Sequence, residues 1–320
     1  MAGPDQLTRV GDATSESQDV AFAGRSQLQL AWTRLRHDRV AVVSTVLILA
    51  LVLVAIGAPL VAKLVGWGPD EQDRVHGLTP DGLPVGPSTL HWLGTDNLGR
   101  DVLVRAVYGA RVSLVVGLGA TALATLIGVV VGVVAGYASP GVDTLLSRLM
   151  DVVLSFPFLL FAIALVSVVG PSLKISIIVI AFFSWASIGR VVRGQTLTLR
   201  EHEFVEAARS TGAKTLRIMT VEILPNLVSP ILVLATLIIP TAIVFEATLS
   251  FLGLGVEPPT PTWGNMISDS LPYYNVAWWF VAAPGLALLL MTLAFNLLGD
   301  AVRDALDPSA ARLTRVKVRS

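Results

Sequence analysis

The chain has 320 residues, of which 53% are hydrophobic and 14% charged, and its mean hydropathy is +0.71. Because soluble domains carry about 25% charged residues, this composition excludes an ordinary soluble domain. The 23 basic and 23 acidic residues cancel, and the absence of cysteine excludes a disulfide framework and thiol chemistry.

The chain begins with residues 1–27, which are polar and mixed in charge, and we predict a disordered cytoplasmic tail there. Residues 28–39 combine leucine and tryptophan with arginine, which predicts an amphipathic lead-in at the membrane surface or simply the basic flank of the first span. Blocks of about 20 apolar residues cross a bilayer as helices. Six such blocks predict an all-α polytopic membrane protein, with spans at Val40–Ala62, Val112–Tyr137, Val152–Val169, Leu173–Gly189, Val228–Leu252 and Ala277–Leu298.

The polar segments complete the predicted organisation. Residues 63–111 form the largest segment between spans, residues 112–308 form a core with five spans, and residues 309–320 form a second tail. Within the core, residues 190–227 form a polar loop. Basic residues concentrate in this loop and in the tails, which by the positive-inside rule places both termini and the loop in the cytoplasm and residues 63–111 outside.

Small residues and prolines indicate how the spans pack. Gly128, Gly132 and Gly136 stack on one face of the second span, which predicts a close approach of a neighbouring helix. Pro230 and Pro240 predict a kinked fifth span. Ahead of the second span, turn residues predict an ordered turn and a helix start near Asp101.

The 190–227 loop carries the most informative pattern in the chain. Arg200 to Ser210 contains no proline or glycine and predicts a helix, which Gly212 ends as a C-terminal cap. Ala213 to Glu222 predicts a second helix, and Pro225 begins the next span. A generic amphipathic hairpin on the membrane surface is the alternative interpretation.

The same loop resembles the coupling loop of ABC-importer permeases, through which a separate ATPase moves the membrane subunit. The resemblance rests on Glu-Ala-Ala, a following glycine, and Leu-Pro after it. Glu222 departs from the family, which has an apolar residue there or a neighbouring histidine. The resemblance assigns coupling to Glu203, Glu206, Ala207, Ala208, Gly212, Leu224 and Pro225.

Four further stretches resemble the dipeptide/oligopeptide permease family, and more narrowly its C-type subunit: His91–Asp101, Arg148–Phe158, Glu246–Trp263 and Asn296–Pro308. The resemblance implies the type I ABC importer permease fold in a bacterial inner membrane. The implied cargo is dipeptides or oligopeptides, with nickel or haem as alternatives. The implied partners are a second permease, two ATPases that bind ATP and Mg, and an extracytoplasmic substrate-binding protein.

Polar residues at membrane depth are candidates for a substrate pathway because placing them there is costly. Glu246 lies within the fifth predicted span. It is either a residue of the pathway or gate, or a structural partner of another group, and the sequence favours neither role. For Asp151, an ion pair with Arg148 one turn away is favoured over a place in the pathway. Asn296, near the end of the sixth span, is a candidate for the pathway or for anchoring helices.

Two segments are candidates for docking the substrate-binding protein. They are His91–Asp101 and the stiff, proline-rich Glu257–Gly264, for which a re-entrant packing loop is the alternative. The candidate contact residues are Trp92, Asp96, Arg100, Asp101, Pro259 and Trp263.

No catalytic or metal site is predicted, and we expect neither enzymatic activity nor a cofactor in this chain. Lys214 follows Ala213, whereas a P-loop requires glycine before the lysine. The four histidines are scattered without ligand spacing. We expect contacts with membrane lipid and none with nucleic acid. An ion-driven secondary transporter is an alternative, but it would need matched halves with paired intramembrane carboxylates, and Glu246 is the one candidate. A non-transporting membrane scaffold is a further alternative, but it would leave the coupling-like loop unexplained.

Overall fold

The computed structural model describes residues 27–306, so the predicted tails lie outside the described residues, apart from residue 27. This part of the chain folds into twelve α-helices, a π-helical turn at Ile218–Ile223 and a 3₁₀ turn at Leu271–Tyr273. The helices are α1 Gln27–His37, α2 Arg39–Ile56, α3 Ala58–Val65, α4 Val102–Tyr137, α5 Pro140–Ser155, α6 Phe158–Val169, α7 Leu173–Leu199, α8 Glu203–Ser210, α9 Thr215–Arg217, α10 Leu224–Phe251, α11 Trp263–Ser270 and α12 Trp278–Leu306.

Five helices are long and apolar enough to cross a membrane: α2, α4, α7, the continuous run of α9 and α10, and α12. A sixth crossing requires α5 and α6 together, and their axes differ by 85°. The all-α polytopic fold is therefore confirmed.

The prediction of one continuous third span over Val152–Val169 is wrong, because the chain bends between α5 and α6. Phe156 is extended, with φ −79° and ψ 133°, and Pro157 precedes the first residue of α6. A residue before proline is pushed out of the helical region by the proline ring, and proline has no N–H to donate. α5 therefore ends at Ser155, and its apolar side chains Leu145 and Leu149 are exposed.

The first and second predicted spans also have different bounds. Gly57 separates α2 from α3, so the block Val40–Ala62 is divided between two helices. The second span begins ten residues before the predicted Val112, because the Asp101 side chain caps the helix by accepting a hydrogen bond from the Val104 N–H at 2.9 Å. This capping confirms the predicted helix start near Asp101.

α4 and α7 form the most extensive helix contact in the described part of the chain, and the predicted glycine stripe lies between them. A Cβ at Gly128 would lie 2.7 Å from the Trp185 carbonyl oxygen, and one at Gly132 would lie 2.7 Å from the Gly189 carbonyl oxygen. The prediction of a close helix approach is confirmed. α10 packs against α4, α7 and α12, and α11 is held between α4, α10 and α12.

Candidate coupling and docking sites

The short helix α8 is anchored along one face and open along the other. Val205 is fully buried in a cluster that includes Ile218 and Ile223. Ala208 is half-buried and packs against the same cluster, whereas Glu203, Glu206 and Ala207 are exposed on the other side of the helix. α8 therefore exposes two carboxylates, and its small alanine side chain lets a partner surface approach the backbone. Two further predicted coupling residues begin α10: Leu224 is half-buried and Pro225 is exposed.

Gly212 ends α8 as predicted. Its φ is +82°, which side chains with a Cβ adopt only at a cost. The Gly212 N–H donates to the Arg209 carbonyl at 2.9 Å, and the Ala213 N–H donates to the Ala208 carbonyl at 3.0 Å. These bonds satisfy carbonyls that the end of the helix leaves open.

The predicted second helix from Ala213 to Glu222 is wrong in its geometry. α9 is three residues long and is followed by the π-helical turn Ile218–Ile223. The Leu224 N–H donates to the Met219 carbonyl, and the next residue, Pro225, has no N–H. Apolar periodicity does not distinguish a wider π-helical turn from an α-helix, so the sequence pattern missed it.

Two arginines connect the segment around α8 to the C-terminal end of α4. The Arg209 Nε donates to the Tyr137 hydroxyl at 3.2 Å, and the guanidinium carbon lies 5.2 Å from the centre of the tyrosine ring. Arg200 Nη1 donates to the Gly136 carbonyl at 3.1 Å. α8 is thus connected to α4 as well as to its chain neighbours α7 and α9.

Asp151 lies in an ion-pair network between α5 and α7. Its Oδ1 is 2.6 Å from Arg190 Nη2, and its Oδ2 is 3.8 Å from the predicted partner, Arg148. About two helical turns earlier on α5, Asp143 accepts hydrogen bonds from two nitrogens of Arg193. The ion pair with an arginine that was favoured for Asp151 is therefore present, and Arg190 is the nearer partner. The sequence pattern missed Arg190 because the pair spans 39 residues, a separation that helix periodicity does not connect.

Glu246 is fully buried between α10 and α4. Its carboxyl oxygens accept hydrogen bonds from Ser113 on α4 and from Ser250 on α10, both at 2.8 Å. Asn296 is exposed on α12. No hydrogen bond or ion pair within residues 27–306 joins Glu246, Asp151 and Asn296, so the structure does not bring the three pathway candidates together.

The segment from Trp67 to Asp101 folds around a buried histidine at the N-terminal end of α4. His91 Nδ1 lies 2.9 Å from Asp101 Oδ2, and His91 Nε2 lies 3.4 Å from Asp73 Oδ2. The ring also stacks on Trp67 at a centroid distance of 4.9 Å. Because Asp101 caps α4, this cluster fixes the segment to the helix.

Asp73 holds a turn in that segment. Burial raises the pKa of its carboxyl, but the backbone N–H groups of His76 and Val75, with the His91 ring, outweigh burial, so that the pKa falls below its ordinary value of 3.8. The N–H bonds measure 2.8 Å from His76 and 2.9 Å from Val75. The ionised carboxylate is therefore the form that stabilises the turn.

The docking candidates differ in exposure. Trp92 is 57% exposed and Pro259 is exposed, so both side chains are available to a partner. The buried candidates form internal contacts: Arg100 Nε lies 2.6 Å from Asp96, and Trp263 Nε1 donates to the Ala106 carbonyl at 2.9 Å. The buried candidates are Asp96, Arg100, Asp101 and Trp263.

Comparison with protein families identifies the membership of the chain. The family described as "Binding-protein-dependent transport system inner membrane component" matches residues 128–312, more than half of the sequence. The chain belongs to this family. The family described as "N-terminal TM domain of oligopeptide transport permease C" matches residues 26–80, and residues 81–127 lie between the two matches.

Characterised relatives within the family align over most of the chain. It is 43% identical to the dipeptide transport system permease protein DppC of Alkalihalophilus pseudofirmus, covering 87% of this chain and 88% of that one. It is 41% identical to the di/tripeptide transport system permease protein DppC of Pseudomonas aeruginosa, covering 91% and 95%. The glutathione transport system permease protein GsiD of Escherichia coli is 43% identical, with coverage of 87% and 89%.

Solved structures confirm the permease fold. Two inward-facing structures of the MetNI methionine ABC transporter contain a chain that superimposes with TM-scores of 0.51 and 0.54. The matched region covers 64% of this chain in both, and 96% and 97% of the solved chains, at 20% and 19% sequence identity. The predicted type I ABC importer permease architecture is therefore confirmed.

Proposed function

We propose that this chain is one of two permease subunits of an ATP-driven importer of dipeptides or oligopeptides, and that α8 couples it to a separate ATPase. The observation that carries the coupling assignment is the arrangement of α8. A polar helix lies between two spans, is anchored by buried Val205, and leaves Glu203, Glu206 and Ala207 exposed. A force applied to the exposed face of such a helix is transmitted to the spans through its buried face.

The cargo assignment is supported by the names of the relatives. Proteins aligned over most of the chain at 40–43% identity transport dipeptides, di/tripeptides or glutathione according to their names. The residues that contact the cargo belong to a pathway formed with the second permease. Glu246, Asp151 and Asn296 remain its proposed polar residues, and the ion pair of Asp151 gives that residue a structural task as well.

The proposed assembly contains this chain, a second permease with its own coupling helix, two ATPases and an external substrate-binding protein. ATP and Mg bind to the ATPases. The chain crosses a bacterial inner membrane with α8 and both termini in the cytoplasm, since the basic residues concentrate there. The Trp67–Asp101 segment and the Glu257–Gly264 segment face outward. Trp92 of the first and Pro259 of the second are the proposed contacts with the binding protein.

Purification from native membranes in mild detergent, followed by mass spectrometry, tests the assembly. We expect a P-loop ATPase, a second six-span permease and a peptide-binding protein to co-purify with this chain. A chain that purifies alone or only with itself would contradict the importer assignment and favour the secondary transporter.

Substitutions at α8 test the coupling assignment in the reconstituted complex. Gly212→Val strains a backbone at φ +82°, and a Cβ added there meets no atom within 4 Å. Gly66→Val is the matched control, because Gly66 has φ +86°, equally open surroundings, and a position at the end of α3. We expect Gly212→Val and Glu206→Lys to lower uptake per ATP hydrolysed while Gly66→Val does not. Normal uptake per ATP in both α8 variants would reject the assignment.

A further inference from the structure

The contact between Arg209 and Tyr137 joins α8 to a helix that is not its neighbour along the chain. Chain connectivity alone makes α7 and α10 follow any movement of α8. We propose that Arg209 and Tyr137, supported by Arg200, form a clamp that makes α8 and α4 move as one body. The clamp rests on the proposed coupling function of α8 and gives α4 a direct attachment to that helix, in addition to its packing against α7.

The clamp has two components at one tyrosine. The Arg209 Nε donates to the Tyr137 hydroxyl at 3.2 Å, and the guanidinium lies over the ring at 5.2 Å. A guanidinium binds a tyrosine through both the ring face and the hydroxyl, which fixes the direction as well as the distance of the contact. Arg209 is in the last turn of α8, and Tyr137 is the last residue of α4. The two helix ends are therefore held to each other.

Arg200 adds a second attachment beside the first. Its Nη1 donates to the Gly136 carbonyl, one of the last carbonyls of α4 that have no partner within the helix. A cation at this position also complements the negative end of the helix dipole. Arg200 follows α7 directly and precedes α8, so the clamp connects both sides of the loop to α4.

α4 is built to carry a displacement along its length. It contains 36 residues without an internal proline, so it spans about 54 Å at 1.5 Å per residue. At its far end, Asp101 caps the helix and contacts His91, and the Ala106 carbonyl accepts from Trp263. A push on α8 is therefore delivered to the Trp67–Asp101 segment, which carries the proposed docking residue Trp92, and to α11, which follows the segment of Pro259.

The first experiment measures uptake per ATP hydrolysed in the complete complex in proteoliposomes. We expect Arg209→Gln and Tyr137→Leu each to lower this ratio about fivefold, a size typical of coupling between sites. Tyr137→Phe keeps the ring and should retain most of the ratio. Arg217→Gln is the control, because Arg217 is an exposed arginine in nearby α9 that forms no clamp contact. Normal ratios in both Arg209→Gln and Tyr137→Leu would overturn the clamp.

The second experiment uses the fact that the chain contains no cysteine. The double variant Tyr137→Cys/Arg209→Cys removes the clamp, and a short bismaleimide then replaces it with a covalent bridge. We expect the double variant to be uncoupled and bridging to restore uptake per ATP. A monofunctional maleimide is the control. Bridging that lowers the ratio further would show that α8 moves relative to α4. Either that result or an unchanged ratio would overturn the proposal.

The α8 variants separate failure of the clamp from failure of the coupling assignment. If Gly212→Val and Glu206→Lys uncouple the complex but the clamp variants do not, α8 is the coupling helix and acts without the clamp. If none of these variants changes uptake per ATP, the coupling function of α8 is rejected and the clamp with it.

Discussion

Asp151 on α5 and Arg190 on α7 form an ion pair, with Oδ1 and Nη2 2.6 Å apart. A second pair, Asp143 with Arg193, joins the same two helices. The exposed fractions differ, at 50% and 54% for the first pair and 20% and 29% for the second. The strengths of two ion pairs that differ in exposure can therefore be compared within the same helix contact.

We expect the less exposed pair to be the stronger one. A double-mutant cycle with Asp151→Asn and Arg190→Gln should give a coupling free energy of about 0.2–1 kcal/mol, because water screens an exposed pair. The cycle with Asp143→Asn and Arg193→Gln should give about 1.5–3 kcal/mol, since two charge-assisted hydrogen bonds are lost from a less exposed site. Denaturant unfolding in micelles measures both cycles. Equal coupling energies would contradict the ranking by exposure.

Glu246 is expected to tolerate glutamine better than leucine. Glutamine has the same shape and pairs with both Ser113 and Ser250, so Glu246→Gln should cost less than about 1 kcal/mol. Glu246→Leu leaves two buried hydroxyls without their acceptor and should cost about 1–3 kcal/mol.

Transport assays on the same two variants separate the alternatives for Glu246. Loss of uptake in a stable, correctly assembled Glu246→Gln complex would assign the carboxylate to the pathway. Normal uptake would assign it to structure. If leucine were as well tolerated as glutamine in the unfolding measurement, the hydrogen bonds would not explain why this carboxyl is buried.

The glycine stripe predicts a site-specific effect of adding one methyl group. At Gly132, a Cβ would lie 2.7 Å from the Gly189 carbonyl oxygen and 2.8 Å from the Val192 Cβ, so Gly132→Ala forces α4 and α7 apart at a cost of about 1–3 kcal/mol. A Cβ added at Gly194 on α7 would meet no atom within 4 Å. Gly194→Ala should therefore stabilise the helix by about 0.5–1 kcal/mol. Thermal unfolding compares the two, and a similar loss in both would contradict the steric account.

Acidification should remove the stabilising effect of Asp73. Its pKa in the folded chain is below 3.8, so its contribution is present above pH 3.8 and is lost as the pH falls through the folded-state pKa. At neutral pH we expect Asp73→Asn to have a lower Tm than the wild type, because asparagine accepts the His76 and Val75 N–H bonds less strongly. The difference in Tm should narrow below pH 3.8. A difference that widens on acidification would contradict this assignment.

The sequence predicted the features that depend on local chemistry. The cap at Asp101, the left-handed glycine after α8 and the glycine stripe of α4 each follow from one residue type with a strong conformational preference. Long apolar blocks likewise predicted the spans, because their length is set by the bilayer.

The features that the sequence missed depend on distant partners or on competing local preferences. Arg190 pairs with Asp151 only when α5 packs against α7 in the folded chain. Phe156 lies within an apolar block, which favours a continuous helix, but the ring of Pro157 excludes it from the helical region. Asp96 and Arg100 are polar residues of a segment between spans, typical of an exposed loop, and become buried because they pair with each other.

The short helix α6 sets a condition on how the subunit is produced. Its 12 residues extend about 18 Å, whereas the hydrocarbon core of a bilayer is about 30 Å thick. An unpaired subunit must thin the surrounding lipid or tilt α5 into it, and both strain the membrane. If the proposed second permease covers α5 and α6, we expect the cell to keep synthesis of the two chains in step, since copies in excess would be degraded before they assemble.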